Sequence, residues 1–252
     1  MSAESKNREE QRRTENGVEY FDRGIIEGRE GRRYARFAIH THFIEVGEDQ
    51  AELVRRYVLP LYQPGDVLSF GAKVMAMCTK NVVTKEECEP GFWAKLLSRH
   101  ASETVAGVGV HEPYKMQLAI KMVGLPKVLW ASFASAVTKP FGKKGVFWKI
   151  VGPAVAGIDG FYYRSSFERY KSLALINNDN PVELCDALEA ATGVPTVLMD
   201  ANDIDRNQLG KSRNFPLTDE EIQDALRDNP SGQGDELTPL ILIRPLKDLS
   251  CH

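Results

Sequence analysis

The sequence predicts an α/β protein in which helices flank a mixed sheet, and two observations favour this class. Apolar runs typical of buried strands alternate along the chain with segments of helical periodicity, and no segment repeats. In the central segment, residues 151–212, two apolar or small-residue runs each end on acidic residues, and a well-delimited helix lies between them. An α+β arrangement of the same elements is the alternative.

Composition sets the expected organisation of the chain. A chain of 252 residues can form one large domain or two small ones, and a hydrophobic content of 42% suffices for a core. Residues 1–16 carry mixed charge and little to bury, which predicts a flexible N-terminal arm. We expect residues 17–252 to form a single domain, with 86–149 as an inserted subregion.

Composition also argues against several classes of function. The four cysteines show no C-x-x-C spacing, so a zinc site is not expected, and their scatter fits reduced thiols. A net charge of −3 gives no electrostatic case for nucleic acid. No stretch approaches the roughly 20 apolar residues of a membrane span, and the polar N-terminus does not resemble a signal peptide. We therefore expect a cytoplasmic protein with no nucleic-acid or membrane partner.

The helix of the central segment has a recognisable start and stop. Asn180 can cap it, Pro181 suits its first position and Gly193 closes it. Strands predicted on both sides make a strand–helix–strand unit. In open α/β sheets, ligands usually bind beyond the carboxyl ends of such strands.

Oxygen-bearing side chains follow both runs of the central segment. Asp159 ends the first run, and Asp200, Asn202 and Asp203 follow the second. Carboxylate and amide oxygens are the ligands that Mg²⁺ prefers. Such residues also commonly form a turn after a strand without binding anything. Their grouping raises the case for a metal site until it equals the case for a turn.

Asp159 has an additional local signal, because Gly157 and Gly160 flank it. Glycines at these positions would let the backbone approach a ligand closely. A turn aspartate would serve there through side-chain hydrogen bonds.

The first strand is predicted within residues 32–43, which end in I-H-T-H-F. His40 and His42 lie two apart and would share one side of a strand. Because no third ligand is close in sequence, a polar strand face is favoured over a transition-metal site.

An acidic turn at Gly47, Glu48 and Asp49 precedes helical periodicity over residues 50–62. Acidic residues in a first helical turn are favoured by the helix dipole. A second group of metal ligands is the alternative, and spacing does not decide between the two.

Residues 67–78 are predicted as a buried strand that carries Lys73. An unpaired buried charge is costly, so this lysine needs a partner. Phosphate is favoured as that partner, and extension of the side chain to the surface is the alternative.

The middle of the chain is less informative. Residues 90–99 and 113–123 look helical, whereas 138–145 form a basic loop that either closes over an anionic ligand or is a surface turn. The loop lacks the order of a Walker A motif.

Two signals mark the C-terminal part of the chain. Thr218 and Glu221 predict a capping box at the start of a helix. The apolar run that follows predicts a final strand, which Arg244 interrupts as Lys73 interrupts the earlier one.

Several segments, taken in order, resemble the coenzyme F(420)-0:L-glutamate ligases, which use GTP to add glutamate to a deazaflavin precursor. V-G-E-D-Q-A-E-L-V is similar to the G-D-D turn and helix of that family, and P-G-D-V-L-S-F-G-A-K-V-M-A to its lysine strand. V-A-G-I-D is similar to N-A-G-I-D, and T-G-V-P-T-V-L-M-D-A-N-D to a segment ending in I-S-D-S or I-S-D-T. The resemblance covers about residues 41–212.

The resemblance implies a gamma-glutamyl-ligase-like fold and a ligase that depends on GTP or ATP and on Mg²⁺ or Mn²⁺. Such an enzyme phosphorylates a small-molecule carboxylate and lets an amino acid attack the acyl phosphate, and a gamma-glutamyl amide is the candidate product. We also expect a homodimer. The implied site residues are Lys73 and Asp159 for catalysis; Gly47, Glu48, Lys73 and Asn202 for the nucleotide; and Asp49, Asp159 and either Asp200 or Asp203 for the metal.

Three departures from the family leave other functions open. Phe161 and Tyr162 replace its Ser-Asn pair, C-T-K-N-V-V replaces its E-G-R, and D-R-N-Q-L-G-K-S replaces its G-R-x-W-R-x-G. These changes concern the substrate more than the metal chemistry. The alternatives are a non-catalytic homologue that binds a ligand or partner, and a metal-dependent phosphohydrolase.

Overall fold

The computed structural model describes residues 10–101, 109–143, 145–161, 168–201, 206–232 and 236–246. The chain folds into two compact units. Unit 1 comprises Met1–Lys80 and Asn178–His252, and unit 2 comprises Asn81–Asn177. Unit 2 is thus inserted into the sequence of unit 1, and it contains the predicted subregion 86–149.

Strands and helices are interspersed along the chain, although the alternation is not strict, since three strands precede the first of the α-helices given below. The strands are β1 (Arg12–Glu15), β2 (Val18–Glu27), β3 (Arg33–Ile39), β4 (Val67–Gly71), β5 (Val82–Thr84), β6 (Asp159–Gly160), β7 (Leu173–Leu175), β8 (Thr196–Ala201), β9 (Arg206–Lys211) and β10 (Leu240–Leu246).

The helices of both units are mostly short. They are α1 (Gln50–Leu53, continued by a π-helical turn over Val54–Val58), α2 (Ala72–Cys78), α3 (Phe92–His100), α4 (Pro113–Val123), α5 (Leu125–Thr138), α6 (Val146–Val151), α7 (Pro153–Ala156), α8 (Glu168–Ser172), α9 (Pro181–Thr192) and α10 (Asp219–Leu226). Short 3₁₀ segments lie at Arg29–Gly31, Glu86–Cys88 and Lys139–Phe141.

A seven-stranded mixed sheet organises unit 1. Its order is β1-β2-β3-β10-β4-β8-β9, and β4 pairs with β8 in parallel while the other pairs are antiparallel. This arrangement of a mixed sheet and helices confirms the predicted α/β class.

Residues alternate between the two faces of this sheet, as the period of a strand requires. One face packs with α1, α2 and α9, and the other packs with α10. The first face carries Leu68, Phe70 and Leu198, and the second carries Val67, Val197 and Met199.

Unit 2 has its own core, built mainly from helices around a small antiparallel sheet of order β5-β7-β6. Phe161 is 1% exposed and packs on Tyr114 with ring centroids 5.6 Å apart. This aromatic side chain therefore belongs to the core of unit 2.

Several predicted elements are confirmed. The helix over Pro113–Val123 has the predicted ends, and α9 begins at Pro181 and is closed by Gly193 in a left-handed conformation. The predicted cap at Asn180 is wrong in one respect, because its side chain makes no capping hydrogen bond. Thr218 and Glu221 form the predicted capping box at the start of α10.

The prediction of a flexible arm over residues 1–16 is wrong for its last part, because Arg12–Glu15 pairs with β2 as an edge strand. The connection is Asn16-Gly17, with φ of 50° and 78°, which is the geometry of a two-residue hairpin. The Asn-Gly pair was the signal for this hairpin, and two strands therefore precede the strand predicted as the first.

The predicted order of strand, helix and strand around α9 is confirmed, but the two strands lie in different sheets. The strand before α9 is β7, which belongs to the small sheet of unit 2, whereas β8 after α9 belongs to the large sheet of unit 1. An apolar run of strand length does not specify the sheet that it joins.

Within the described ranges, no single helix is both long and apolar enough to cross a membrane. Pro113–Val123 and Leu125–Phe141 reach the required length and composition only as a pair, and they are bent by 119° at the break between them.

Candidate functional site

The candidate site lies in unit 1, where β4 and β8 end side by side. The parallel register places Gly71 of β4 opposite Met199 of β8, so Asp200 lies one residue beyond that pair. Because successive residues of a strand face opposite sides, Asp200 shares the side of Leu198, which is the side packed with α2 and α9. Asp200 is half-buried there.

Lys73 lies at the same edge of the sheet, but the predicted strand that carried it is wrong. The strand ends at Gly71, and α2 begins at Ala72, so Lys73 is the second residue of a helix and is exposed. All other residues of α2 are buried, so its sequence has no polar face and lacks the periodicity of a surface helix. An exposed ammonium next to Asp200's strand end remains suited to an anionic ligand.

The Gly47 turn, residues 45–49, lies at the other end of α2. Gly47 has a φ of +89°, and its N–H donates to the carbonyl oxygen of Met77 at 2.9 Å. Met77 follows Lys73 by four residues, so the two lie about 6 Å apart along the helix axis. The turn and the lysine, which are 26 residues apart in sequence, are thus positioned by the same short helix.

Glu48 belongs to a hydrogen-bonded group that the sequence analysis did not identify. Its two carboxylate oxygens lie 2.9 and 3.1 Å from His42 Nε2, and His42 Nδ1 lies 2.7 Å from the hydroxyl of Tyr57. Since a carboxylate only accepts, Nε2 of the neutral ring carries the proton and Nδ1 accepts from Tyr57. Glutamate, histidine and tyrosine in this order can accept a proton and pass it on.

His42 lies outside β3, which ends at Ile39. The predicted polar strand face is therefore wrong for this residue. Glu48 and Tyr57 follow His42 by six and fifteen positions, across a turn and a helix start, so periodicity alone could not reveal the group. A histidine shortly before an acidic turn was the available signal.

Asp49 is the N-cap of α1. Its Oδ1 accepts hydrogen bonds from the backbone N–H groups of Ala51 at 2.7 Å and Glu52 at 3.0 Å. Oδ1 of Asp49 therefore caps the helix, a role that spacing in the sequence could not distinguish from that of a metal ligand. Among the described residues no hydrogen bond reaches Oδ2, so one oxygen of Asp49 can still serve a ligand.

The Gly47 turn makes this end of α2 electronegative. Burial, together with the charges of Glu48 and Asp49, raises the pKa of the Cys78 thiol to about 12. The thiol is therefore neutral at physiological pH and is not a nucleophile. A cation near the turn would be attracted by the same field.

Asp159 belongs to unit 2, where it forms β6 with Gly160 and is half-buried. Gly160 has a φ of +142°, and a Cβ there would lie 2.3 Å from the Cα of Ala174 in β7. A Cβ on Gly157 would lie 2.7 Å from Asn177 Nδ2. Both glycines thus permit close packing within unit 2, and the predicted approach of a ligand is not needed to explain them.

The remaining predicted residues, Asn202 and Asp203, lie outside the described residues. In the part of the chain that is described, no group of three histidine, cysteine, aspartate or glutamate side chains is arranged to hold a metal ion. The described donors of unit 1, Asp49 Oδ2 and Asp200, have the hard oxygen chemistry of a Mg²⁺ site but do not complete one.

A search of the sequence against models of known protein families finds no match, and a search of curated proteins also finds none. The function is therefore inferred from the residues of the site.

Proposed function

We propose that this chain is a ligase that joins a small-molecule carboxylate to an amino acid, with glutamate as the candidate amine, and that it depends on GTP or ATP and on Mg²⁺ or Mn²⁺. The observation that supports the proposal is the arrangement around α2. Lys73 and Asp200 lie at one edge of the sheet, and the Gly47 turn is hydrogen-bonded to the far end of the same helix. These segments are separated by up to 153 residues, and each carries part of the resemblance to the coenzyme F(420)-0:L-glutamate ligases.

The chemistry of the proposal has two steps. A carboxylate oxygen of the substrate takes the γ-phosphoryl group, and the nucleoside diphosphate leaves. The amine nitrogen then attacks the acyl carbon, inorganic phosphate leaves, and the nitrogen loses a proton. The exposed ammonium of Lys73 would neutralise part of the triphosphate charge, and the metal ion would supply the remaining positive charge.

The proton released by the amine needs an acceptor. In this proposal His42 takes it, because Glu48 orients the ring through its contact with Nε2 and leaves Nδ1, beside the Tyr57 hydroxyl, as the accepting nitrogen. Glu48 then acts through His42, although the resemblance implied a nucleotide contact. Within the described residues, Asp49 and Asp200 are the proposed metal ligands, whereas Asp159 lies in unit 2 and stays a prediction of the resemblance.

A second candidate is a protein that binds a ligand without turning it over. This candidate is favoured because hydrogen bonds within the protein already occupy most oxygens of the acidic turn. Both oxygens of Glu48 contact His42, one also accepts from the N–H of Glu45, and Oδ1 of Asp49 caps α1. A turn that mainly organises its own loop needs no catalytic role.

Titration calorimetry with GTP and with ATP tests the proposal. We expect micromolar to millimolar binding with Mg²⁺ present and at least about tenfold weaker binding in excess chelator, because separated acidic groups repel a triphosphate unless cations intervene. Lys73→Met should weaken binding, whereas Lys95→Met, which removes an exposed helical lysine of unit 2, should not. Equal affinity with and without Mg²⁺ would contradict the proposal.

Phosphate release separates the candidates further. A ligase releases phosphate only when a carboxylate substrate and glutamate are both present, whereas a phosphohydrolase releases it from the nucleotide without either. Binding without any release favours the second candidate.

The proposal includes a cytoplasmic location and a homodimer. Cys78, Cys88 and Cys185 are buried thiols, which is compatible with a reducing compartment. Light scattering on the purified chain would give the oligomeric state.

A further inference from the structure

Helix α5 of unit 2 presents a row of exposed apolar side chains. Trp130 is 60% exposed, Phe133 61% and Val137 48%, and the row continues at Phe141, which is 78% exposed, in the 3₁₀ segment after the helix. The intervals of three, four and four residues place these four side chains on one side. We call them the α5 stripe.

The stripe is not the packing face of the helix. Val128 and Ala131 are fully buried and attach α5 to the core of unit 2. Trp130 and Phe133 contact each other, with ring centroids 6.0 Å apart, and so form a continuous aromatic surface. Clustered exposed aromatic residues of this kind usually mark a binding surface.

The region around the stripe is strongly basic. Residues 113–158 contain seven lysines and no aspartate or glutamate, although the whole chain has a net charge of −3. Lys127, Lys139 and Lys143 are exposed and lie beside the two ends of the stripe in sequence. The partner of this surface should therefore be apolar and anionic at once.

The surface of an anionic lipid membrane has both properties. Tryptophan and phenylalanine partition into the headgroup region, and lysine beside them is attracted by acidic lipids. Trp130 and Phe141 are about 17 Å apart along the axis, which is too short to cross a hydrocarbon core of about 30 Å but suits a helix lying in the interface.

The charges disfavour the other obvious occupant, a second copy of this chain. A two-fold contact between identical stripes would bring Lys127 and Lys143 of both copies together, and residues 113–158 contain no acidic residue to offset their charge. A lipid layer avoids this repulsion because its headgroups supply the negative charge.

We propose that unit 2 binds the surface of anionic lipid membranes through the α5 stripe, with the aromatic side chains in the headgroup region and the neighbouring lysines on lipid phosphates and carboxylates. The expectation of no membrane partner relied on the lack of a spanning stretch, and a surface-bound helix does not require one. This inference is independent of the proposed ligase activity.

Vesicle flotation with the full chain tests the proposal. Vesicles of phosphatidylcholine with 30% phosphatidylserine should bind the chain, and vesicles of pure phosphatidylcholine should bind it much more weakly. Trp130→Ala with Phe133→Ala should reduce binding to the mixed vesicles by about tenfold or more. Lys127→Gln with Lys143→Gln should reduce it by roughly fivefold for each lysine at low salt.

A matched control is available in the same unit. Phe92 and Trp93 of α3 are 72% and 43% exposed and contact each other, but Glu86, Glu87 and Glu89 precede them. Phe92→Ala with Trp93→Ala should leave vesicle binding unchanged. If the double variant of the stripe is unstable, the single change Phe141→Ser, at the most exposed position, should still reduce binding.

The proposal would be overturned if the wild-type chain did not bind mixed vesicles, or if a stripe variant bound them as the wild type does. It would also be overturned if the wild type were a dimer that does not bind vesicles and a stripe variant were monomeric in light scattering, since the stripe would then be a subunit interface.

Discussion

The guanidinium group of Arg244 in β10 contacts both carboxylate oxygens of Asp66. Nε lies 2.9 Å from Oδ1 and Nη2 lies 2.8 Å from Oδ2, and Asp66 is 1% exposed. Nη2 also donates to the carbonyl oxygen of Leu61, and Asp66 accepts from the N–H of Gln63. The arginine that interrupts the final apolar strand is therefore paired with the turn that precedes β4.

We expect Arg244→Met to lower the free energy of unfolding by about 3–5 kcal/mol, because it leaves the buried carboxylate of Asp66 without its counter-ion. Urea denaturation followed by circular dichroism measures the change. Arg55→Met is the matched control, since Arg55 pairs with Glu52 on the exposed side of α1 and such pairs contribute about 0.5 kcal/mol. Equal losses in the two variants would contradict a special role for the buried pair.

The Asp66–Arg244 pair shows where sequence reasoning stops. The two residues are 178 positions apart, and the apolar pattern around Arg244 correctly predicted a strand. Nothing in that pattern specifies that β10 lies beside β4, because antiparallel pairing between distant strands depends on the complete sheet order.

Local signals with a physical mechanism were more reliable. Pro181 and Gly193 gave both ends of α9, and Thr218 with Glu221 gave the capping box, because backbone conformation and capping act within one or two turns. The same reasoning failed for α2, which is buried nearly all round and so has no polar side to reveal its period. Lys73 was consequently predicted in a strand.

Gly160→Ala should destabilise unit 2 strongly. The added Cβ would meet the backbone of Ala174 at 2.3 Å, and the φ of +142° is a conformation that alanine strongly disfavours. We expect a loss of about 3 kcal/mol or more. Gly142→Ala is the control, because Gly142 has a φ of +74° but open space around its Cα. A stable Gly160 variant would contradict the view that the pairing of β6 with β7 requires a glycine at this position.

The Cys185 thiol makes stability depend on alkaline pH. Burial raises its pKa to about 12, and the thiol donates to the carbonyl oxygen of Gly210 at 3.7 Å. Since the folded pKa exceeds the unfolded value of about 8.5, the contribution is fully present below pH 8.5 and is lost as pH rises toward 12. One such thiol gives a slope of at most about 1.4 kcal/mol per pH unit.

Cys185→Ala should therefore show a shallower fall in unfolding free energy between pH 9 and pH 10 than the wild type. The packing lost in the variant lowers the free energy of unfolding equally at pH 9 and pH 10, so the difference in slope between the two proteins reports the thiol alone. Curves that stay parallel would show that Cys185 does not retain its proton in the folded state.

Asp200→Asn distinguishes a metal ligand from a strand-end residue. Asparagine keeps the size and most hydrogen bonds of aspartate but lacks the charge that a divalent cation requires. Because Asp200 is half-buried at the edge where α2 begins, we expect the variant to fold normally and to bind GTP at least about tenfold more weakly at limiting Mg²⁺. Calorimetry across a Mg²⁺ series measures this change.

Asp22→Asn is the matched control for Asp200→Asn. Asp22 Oδ1 in β2 accepts a hydrogen bond from the N–H of Gly24 at 2.9 Å, a turn-like role that asparagine can reproduce. The GTP affinity of the Asp22 variant should therefore equal that of the wild type. Asp159→Asn is measured in the same titration, because the prediction that Asp159 binds metal rests on the resemblance. Wild-type affinity in the Asp159 variant would contradict that prediction, and wild-type affinity in the Asp200 variant would place the metal site away from this edge of the sheet.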